Sequence, residues 1–338
     1  MNDASSSAVD TIHSILRRRC DLQLSEMRVV GSGSSNSLVV IAESEPLGRI
    51  AVKAATTPRV PAVVQAARAR ALRREVRSNV PRVHAAMEDE GWDILIMEAP
   101  GEVVLGEVLG RHVGYEAVWS DVIRRVISLW GASRSEPYSP ATCPRSHRLR
   151  CSSARAALAG FPPNRVDAHL MKVFAAWESI PPPAFGVFCH GDPQPMNVVL
   201  SNADWSFVDF EWCGPMHDWR MMFAHLIGWL PPLMTDAPRI DVTIRGRALR
   251  MLDTLPWTPS PADVSAIARY LALLWFRESQ VAALTWSDAR WDVQRQTLSR
   301  LTSINSGNTA ERVRRLTDTL REVAHAALDI SVARTQSH

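Results

Sequence analysis

Lysine is almost missing from this chain: of 38 basic residues only Lys53 and Lys172 are lysines, and all the others are arginines. A bias spread over the whole chain is a compositional habit, not a device, and it makes each of the two lysines informative. Cysteine is also scarce. The five present, Cys20, Cys143, Cys151, Cys189 and Cys213, are odd in number and never spaced C-x-x-C, which argues against a disulfide framework or a zinc site and for a reducing cytoplasm. No long apolar run exists. The longest, Met221 to Met234, is broken by His225 and by Pro231-Pro232, too short to span a bilayer. The first ten residues, MNDASSSAVD, carry no basic segment followed by an apolar core, so they do not read as a secretory signal. Charge of one sign is not in excess either. With 38 basic against 35 acidic residues and a net charge of +3, there is no concentrated basic stretch for nucleic acid to meet. The expectation is a cytoplasmic protein with neither membrane nor nucleic acid as a partner.

What is present is enough for a large core. The chain has 338 residues, 46% hydrophobic and 22% charged, the composition of a globular protein with room for two lobes. Its most informative stretch runs from Phe188 to Asp209, FCHGDPQPMNVVLSNADWSFVD. An apolar run ends in His190-Gly191-Asp192, Asn197 follows five residues after the Asp, and Ser206-Phe207-Val208 ends in Asp209. Val198 to Leu200 and Ser206 to Val208 are two short apolar segments around Ser201-Asn202-Ala203-Asp204-Trp205, whose Asn and Asp favour a turn. This predicts an antiparallel hairpin, which places Asn197 and Asp209 at one end, near Asp192. Two carboxylates and a carboxamide there offer oxygen donors of the kind Mg²⁺ takes. The plainer reading of any single Asp is a turn acid beside a hairpin.

The whole set, H-x-D-x4-N followed by V-D-F, resembles the kinase-like phosphotransferases that act on small molecules, the aminoglycoside phosphotransferase and choline kinase group. His190 to Asn197 is similar to their catalytic loop, and Val208-Asp209-Phe210-Glu211 to their counterpart of the protein-kinase D-F-G segment. Gly191 and Glu211 stand where protein kinases carry Arg and Gly, and no A-P-E segment follows Asp209. The resemblance implies an α+β, protein kinase-like bilobal fold: an N-terminal antiparallel sheet lobe with a helix at 1–98, and a larger, mainly helical lobe at 99–338 that contains the catalytic loop and metal hairpin at 188–212. It implies ATP or GTP with Mg²⁺. Asp192 would accept or orient the proton of an acceptor hydroxyl, His190 would support the loop, and Asn197 and Asp209 would hold the metal.

Several features of the N-terminal part fit that frame. Val9, Ile12, Ile15 and Leu16 have helical spacing after a disordered start at residues 1 to 8. Extended runs follow at 28–30, 37–42 and 49–54, with Gly31-Ser32-Gly33-Ser34-Ser35-Asn36 between the first two. Small residues let backbone N–H groups approach a phosphate; a lone G-x-G is usually an ordinary turn, but Gly33, Ser34, Ser35 and Asn36 resemble the family's G-x-S-N loop. Ile50-Ala51-Val52-Lys53 resembles the V-A-I-K strand, whose Lys binds the nucleotide phosphates. In an arginine-rich chain, a lysine here speaks for a compact ammonium. A helix is predicted from about 61 to 79, with Glu75 on the face of Val64, Ala71 and Leu72. No basic residue lies one turn from Glu75, and an unpaired buried carboxylate is costly, so Lys53 is its expected partner; an outward Glu75 in solvent is the alternative. Strands are read at 80–83 and 93–97. Glu98-Ala99-Pro100-Gly101 then resembles the interlobe hinge, implying Glu98 and Pro100 as backbone contacts to the base.

The C-terminal part reads as helices broken by prolines, one of them covering 262–284, with a long Ser/Pro/Arg-rich connection at 132–165. Asp218, in a stretch resembling the family's G-D-P-x-x-D-L segment, is expected to be structural, with His217 its hydrogen-bonded neighbour. From Glu211 onward 13 acidic residues face 15 arginines, so no acidic bowl for a polycation is evident. Eight of the 12 tryptophans lie from Trp205 onward, most of them expected in the core, while a few at a cleft could stack on a sugar, a base or a quaternary amine. Val208-Asp209-Phe210-Glu211-Trp212 resembles choline kinase's I-D-F-E-Y, which keeps choline or ethanolamine open as acceptors. The expected activity is phosphoryl transfer to a hydroxyl of a small molecule such as an antibiotic, by a monomer or homodimer. The alternatives are a metabolite kinase of the choline/ethanolamine type, a nucleotide-binding regulator that has lost catalysis, and a protein kinase.

Overall fold

Alternation of apolar residues along 24–55 and 83–98 builds an antiparallel sheet. The computed structural model describes residues 3–32, 37–76, 79–109, 115–134, 155–156, 158–161, 165–201, 204–229, 233 and 238–335. It divides into two compact units, residues 1–103 with 198–214, and residues 104–197 with 215–338. The lobe boundary read at 98/99 falls close to the first break. The hairpin read as part of the C-terminal lobe groups instead with the first unit.

In the first unit, helix α1 (Asp3–Cys20) precedes strands β1 (Leu24–Ser32), β2 (Leu38–Ser44) and β3 (Gly48–Ala55), helix α2 (Ala62–Val76), and strands β4 (Val83–Asp89) and β5 (Trp92–Glu98). The sheet order is β1-β2-β3-β5-β4, antiparallel throughout. Side chains on a strand alternate between faces. Ile50, Val52 and Ala54 of β3 therefore join Ile94 and Ile96 of β5 and the α1 residues Val9, Ile12, Ile15 and Leu16 in one core. Lys53, between Val52 and Ala54, is forced to the opposite face, where its cross-strand neighbours are Val39 and Leu95.

Two local expectations change in this unit's helix α1 and strand β4. Helix α1 starts at Asp3, within the stretch read as disordered. The strand placed at 80–83 begins only at Val83, while Val80 is a buried turn residue; the alanine-rich V-H-A-A-M-E-D has little β propensity of its own. It is completed as a hairpin with β5 through Glu90 and Gly91, both at positive φ (49° and 78°), as a two-residue hairpin turn requires.

Helix α2 is rotated relative to the expected face. Its buried residues are Ala62, Gln65, Ala66, Ala69 and Leu72, and Glu75 is exposed. Alanines lie on every side of this helix, so apolar spacing could not choose between two neighbouring faces. The tertiary structure buries the one that carries Gln65.

The hairpin forms where it was expected, but its second strand starts one residue earlier: Trp205, read as part of the turn, is in the strand, and Val208 is not. Strands β7 (Val198–Leu200) and β8 (Trp205–Phe207) pair antiparallel, Val198 opposite Phe207 and Leu200 opposite Trp205. Asn79, fully buried, donates from its amide to the Trp205 carbonyl (2.7 Å) and to Asp204 Oδ1 (3.2 Å), fastening the hairpin within the first unit. Gly101 lies against it so closely that a Cβ there would meet the Leu200 carbonyl oxygen at 1.9 Å. Gly101→Ala must therefore displace backbone. Its unfolding midpoint in urea should fall by the equivalent of about 1–3 kcal/mol, the cost of overpacking.

The second unit holds helices α3 (Tyr115–Ala132) and α4 (Ala168–Glu178), strand β6 (Val187–Cys189), and helices α5 (Trp219–Gly228), α6 (Pro238–Arg250), α7 (Pro261–Thr285), α8 (Asp288–Thr302) and α9 (Thr309–Thr335). Most of the connection at 132–165 lies outside the described residues. Every residue of α5 is buried, and it packs on α7. Among the described residues no helix is long and apolar enough to cross a membrane.

Asp218 caps α5, accepting from the Arg220 N–H (3.0 Å), the Arg220 guanidinium (2.9 and 2.8 Å) and the Tyr270 hydroxyl (2.8 Å). Arg220 also donates to the Pro181 carbonyl (2.6 Å). The pair thus joins α5, α7 and the approach to β6, the structural role expected of Asp218. Asp218→Ala should cost about 3–5 kcal/mol, because it strands a buried guanidinium, and the urea midpoint reads the loss.

Candidate active site

Lys53 is the centre of a charged cluster in the first unit. Its ammonium lies 2.9 Å from Asp209 Oδ1, 3.0 Å from Glu211 Oε1 and 3.3 Å from Gln65 Oε1. Burial works against the charge, but Asp209 and Glu211 outweigh it and hold the ammonium's pKa above its ordinary value. The Lys53 side chain is 14% exposed, that of Glu211 5% and that of Asp209 38%. One carboxylate is thus enclosed and the other open to a ligand.

Local structure sets each of these groups. Asp209 has φ +64°, a left-handed conformation that a non-glycine residue adopts at a cost of about 1–3 kcal/mol and that clusters at functional sites. The Glu211 carbonyl accepts from the Arg68 guanidinium of α2. The Gln65 amide nitrogen donates to the Val60 carbonyl (2.7 Å), which turns the amide oxygen toward Lys53. Asp93 on β5 accepts from the Ala62 N–H (2.7 Å) and holds the first turn of α2.

Glu75 does not meet the expectation of an inward carboxylate. It is exposed at the end of α2, and Gln65, ten residues earlier, takes the place beside Lys53. Sequence reasoning missed Gln65 because it searched α2 for a carboxylate. It also missed Glu211 as a partner, although its position two residues after Asp209 was a usable signal.

The hinge stretch is also more constrained than expected. The Glu98 N–H donates to the Arg82 carbonyl (2.8 Å) and the Ala99 N–H to the Arg49 carbonyl (3.0 Å), and Pro100 has no N–H. Any contact made by the backbone of Glu98 or Pro100 must come from a carbonyl oxygen. Gly33, Ser34, Ser35 and Asn36 lie outside the described residues.

The second unit carries the loop that follows β6. His190 is buried, and Gly191 at φ +83° makes the left-handed turn that presents Asp192. The Asn197 amide nitrogen donates to the Asp192 carbonyl (2.9 Å), closing the loop and leaving the amide oxygen on the other side. Asp192 Oδ1 lies 2.8 Å from His225 Nδ1, and Oδ2 accepts from the Gln194 amide (3.3 Å). His225, buried on α5, is a second group that motif reading missed. Inside an apolar helix nothing in the sequence marked its side chain for this loop.

Cys213 belongs to the first unit, its thiol 3.7 Å from the Arg68 carbonyl. Burial pushes the thiol up to about 12, against a smaller downward pull from Arg68. A folded-state pKa above the unfolded value means that stability is intact below the ordinary pKa of 9.0 and falls as pH rises from there toward about 12. Denaturation at pH 8 and pH 11 should show this loss in the wild type and a smaller one in Cys213→Ala.

The model of the phosphotransferase enzyme family (APH) matches residues 26–219. No curated protein sequence matches the chain. Among solved structures it is similar to a choline/ethanolamine kinase family protein from Mesorhizobium loti, at 15% identity and a TM-score of 0.54 over 94% of this chain and 99% of that one. It is also similar to an aminoglycoside-3′-phosphotransferase of type VIII, at 19% identity and 0.51 over 81% and 100%. The macrolide 2′-phosphotransferase MphH from Brachybacterium faecium matches at 17% identity and 0.51 over 87% and 98%. At these identities the likeness is one of fold: an α+β, protein kinase-like architecture with an antiparallel sheet in its N-terminal part and helices in its C-terminal part. Since the family's model spans more than half of the sequence, this chain belongs to the phosphotransferase enzyme family.

Proposed function

We propose that the protein is a kinase that uses ATP or GTP with Mg²⁺ to phosphorylate a hydroxyl of a small molecule, with a hydroxylated antibiotic as the favoured acceptor. The observation that carries this reading is the ammonium of Lys53 held between an enclosed carboxylate, Glu211, and an open one, Asp209, on a left-handed residue. Such a set suits a ligand that brings both negative charge and a hard cation.

Magnesium takes oxygen donors. Asp209 offers a carboxylate oxygen, and Asn197, whose amide nitrogen is engaged, offers its amide oxygen. Bound metal-nucleotide would supply the phosphoryl group and draw charge from the transferring oxygens. Lys53 neutralises phosphate charge as a compact cation. Asp192 accepts or orients the proton of the acceptor hydroxyl, with His225 and Gln194 holding its two oxygens. His190 supports the loop from its buried position.

An amino alcohol as acceptor is the second reading, and one observation ranks it lower. A quaternary amine needs an open aromatic face, while the guanidinium of Arg59 already sits 5.4 Å over the ring of Trp212, in the stretch similar to choline kinase's. Six of the eight tryptophans from Trp205 onward, Trp205, Trp219, Trp229, Trp275, Trp286 and Trp291, are buried.

Incubation with γ-labelled ATP or GTP and a panel of aminoglycosides, macrolides, nucleoside antibiotics, cyclic peptides and amino alcohols tests the proposal. Label is expected in one antibiotic class. Label in choline or ethanolamine alone would establish the second reading. Tight metal-nucleotide binding with no transfer to any acceptor would instead mark a regulator.

A further inference from the structure

Two carboxylates and one carboxamide surround a single ammonium at Lys53, and the three are not equivalent. Asp209 is open, whereas Glu211 is enclosed and its backbone carbonyl is tied to Arg68. Gln65 is buried, neutral, and fixed by its bond to the Val60 carbonyl. The one acidic residue of α2, Glu75, is exposed at the helix end.

We infer that Glu211 is the positioning residue of Lys53, taking the place of a carboxylate on α2, and that Gln65 is a neutral stop which aims the ammonium without adding charge. The inference rests on reading Lys53 as the nucleotide-binding lysine. Its physical basis is a division of labour. A carboxylate that must take a metal ion cannot also be the lasting counter-charge of the lysine, and the open position of Asp209 suits the first task as the enclosed position of Glu211 suits the second. Placing that counter-charge two residues beyond Asp209 joins the aim of Lys53 to the backbone that carries Asp209. A neutral Gln65 then avoids a third negative group beside an ammonium that has to attract phosphate.

The test compares Glu211→Gln, Gln65→Glu and the double variant Glu211→Gln/Gln65→Glu. Lysine-selective ¹³C labelling reads the positioning directly, since the chain has only two lysines and Lys53→Arg assigns the signals. In the ligand-free protein, Glu211→Gln should narrow the Lys53 Cε resonance and collapse its inequivalent Hε protons, the mark of a released side chain. Asp209→Asn should leave them inequivalent. Mg-nucleotide titration by calorimetry should show about tenfold weaker binding in Glu211→Gln, with the KM for nucleotide rising more than kcat falls. The double variant should recover to within about threefold of wild type, because the Gln65 oxygen already lies 3.3 Å from the ammonium.

An immobilised Lys53 in Glu211→Gln would overturn the inference. So would a loss in that variant that follows Mg²⁺ concentration at saturating nucleotide and is not restored by Gln65→Glu, since Glu211 would then be a metal ligand. A wild-type protein that binds no nucleotide would defeat the functional reading while leaving the resonance test of Glu211 intact.

Discussion

Asp192→Asn should leave a folded protein that binds metal-nucleotide within about threefold of wild type and transfers phosphoryl groups about 10²–10⁴ times more slowly, the range general-base catalysis supplies. The substitution keeps the shape of the side chain, removes its charge and basicity, and turns one of the oxygens held by His225 and Gln194 into a donor. The loop does not depend on that charge, because Asn197 closes it through the Asp192 backbone carbonyl and Gly191 sets its turn. Single-turnover transfer and calorimetric nucleotide binding, measured on the same preparation, separate the two effects. Near-normal transfer would remove Asp192 from the reaction. Lost nucleotide binding would mean that its carboxylate acts on the metal-nucleotide and not on the acceptor.

The second large effect belongs to Lys53. Lys53→Met should lower kcat/KM by about 10²–10³, as removal of one electrostatic stabiliser does. It should also destabilise the protein by about 3 kcal/mol, the lower end for a broken buried pair. The lower end applies because Asp209, at 38% exposed, keeps its hydration while Glu211 is left enclosed without a counter-charge. Lys53→Arg should not rescue activity, since a planar fork cannot occupy the place of a compact ammonium among three oxygens. Steady-state kinetics with nucleotide varied, together with urea unfolding, check both halves. A Lys53→Met variant as stable as wild type would show that the two carboxylates find other partners.

Part of this arrangement is legible in the amino-acid sequence. Lys53 stood out because the chain has so little lysine, and the hairpin after Asn197 was readable because two apolar segments bracket turn-forming residues. Those are local properties, carried by composition and by the period of a strand. Glu75 was misassigned for the complementary reason. The orientation of α2 depends on which of its alanine-lined faces the sheet accepts, and a helix with small residues on all sides does not specify that locally. His225 was equally hidden, because a histidine within ten buried residues of α5 has no local mark of what it touches.

The family, the strand that carries Lys53 and the loop that carries Asp192 all follow from residues close together in the chain. Which groups stand around the ammonium is a matter of the folded chain: Gln65, Asp209 and Glu211 come from segments up to 158 residues distant from Lys53. Pairing over such distances is settled by packing and by the cost of burying charge without a partner. Neither is written in a local pattern.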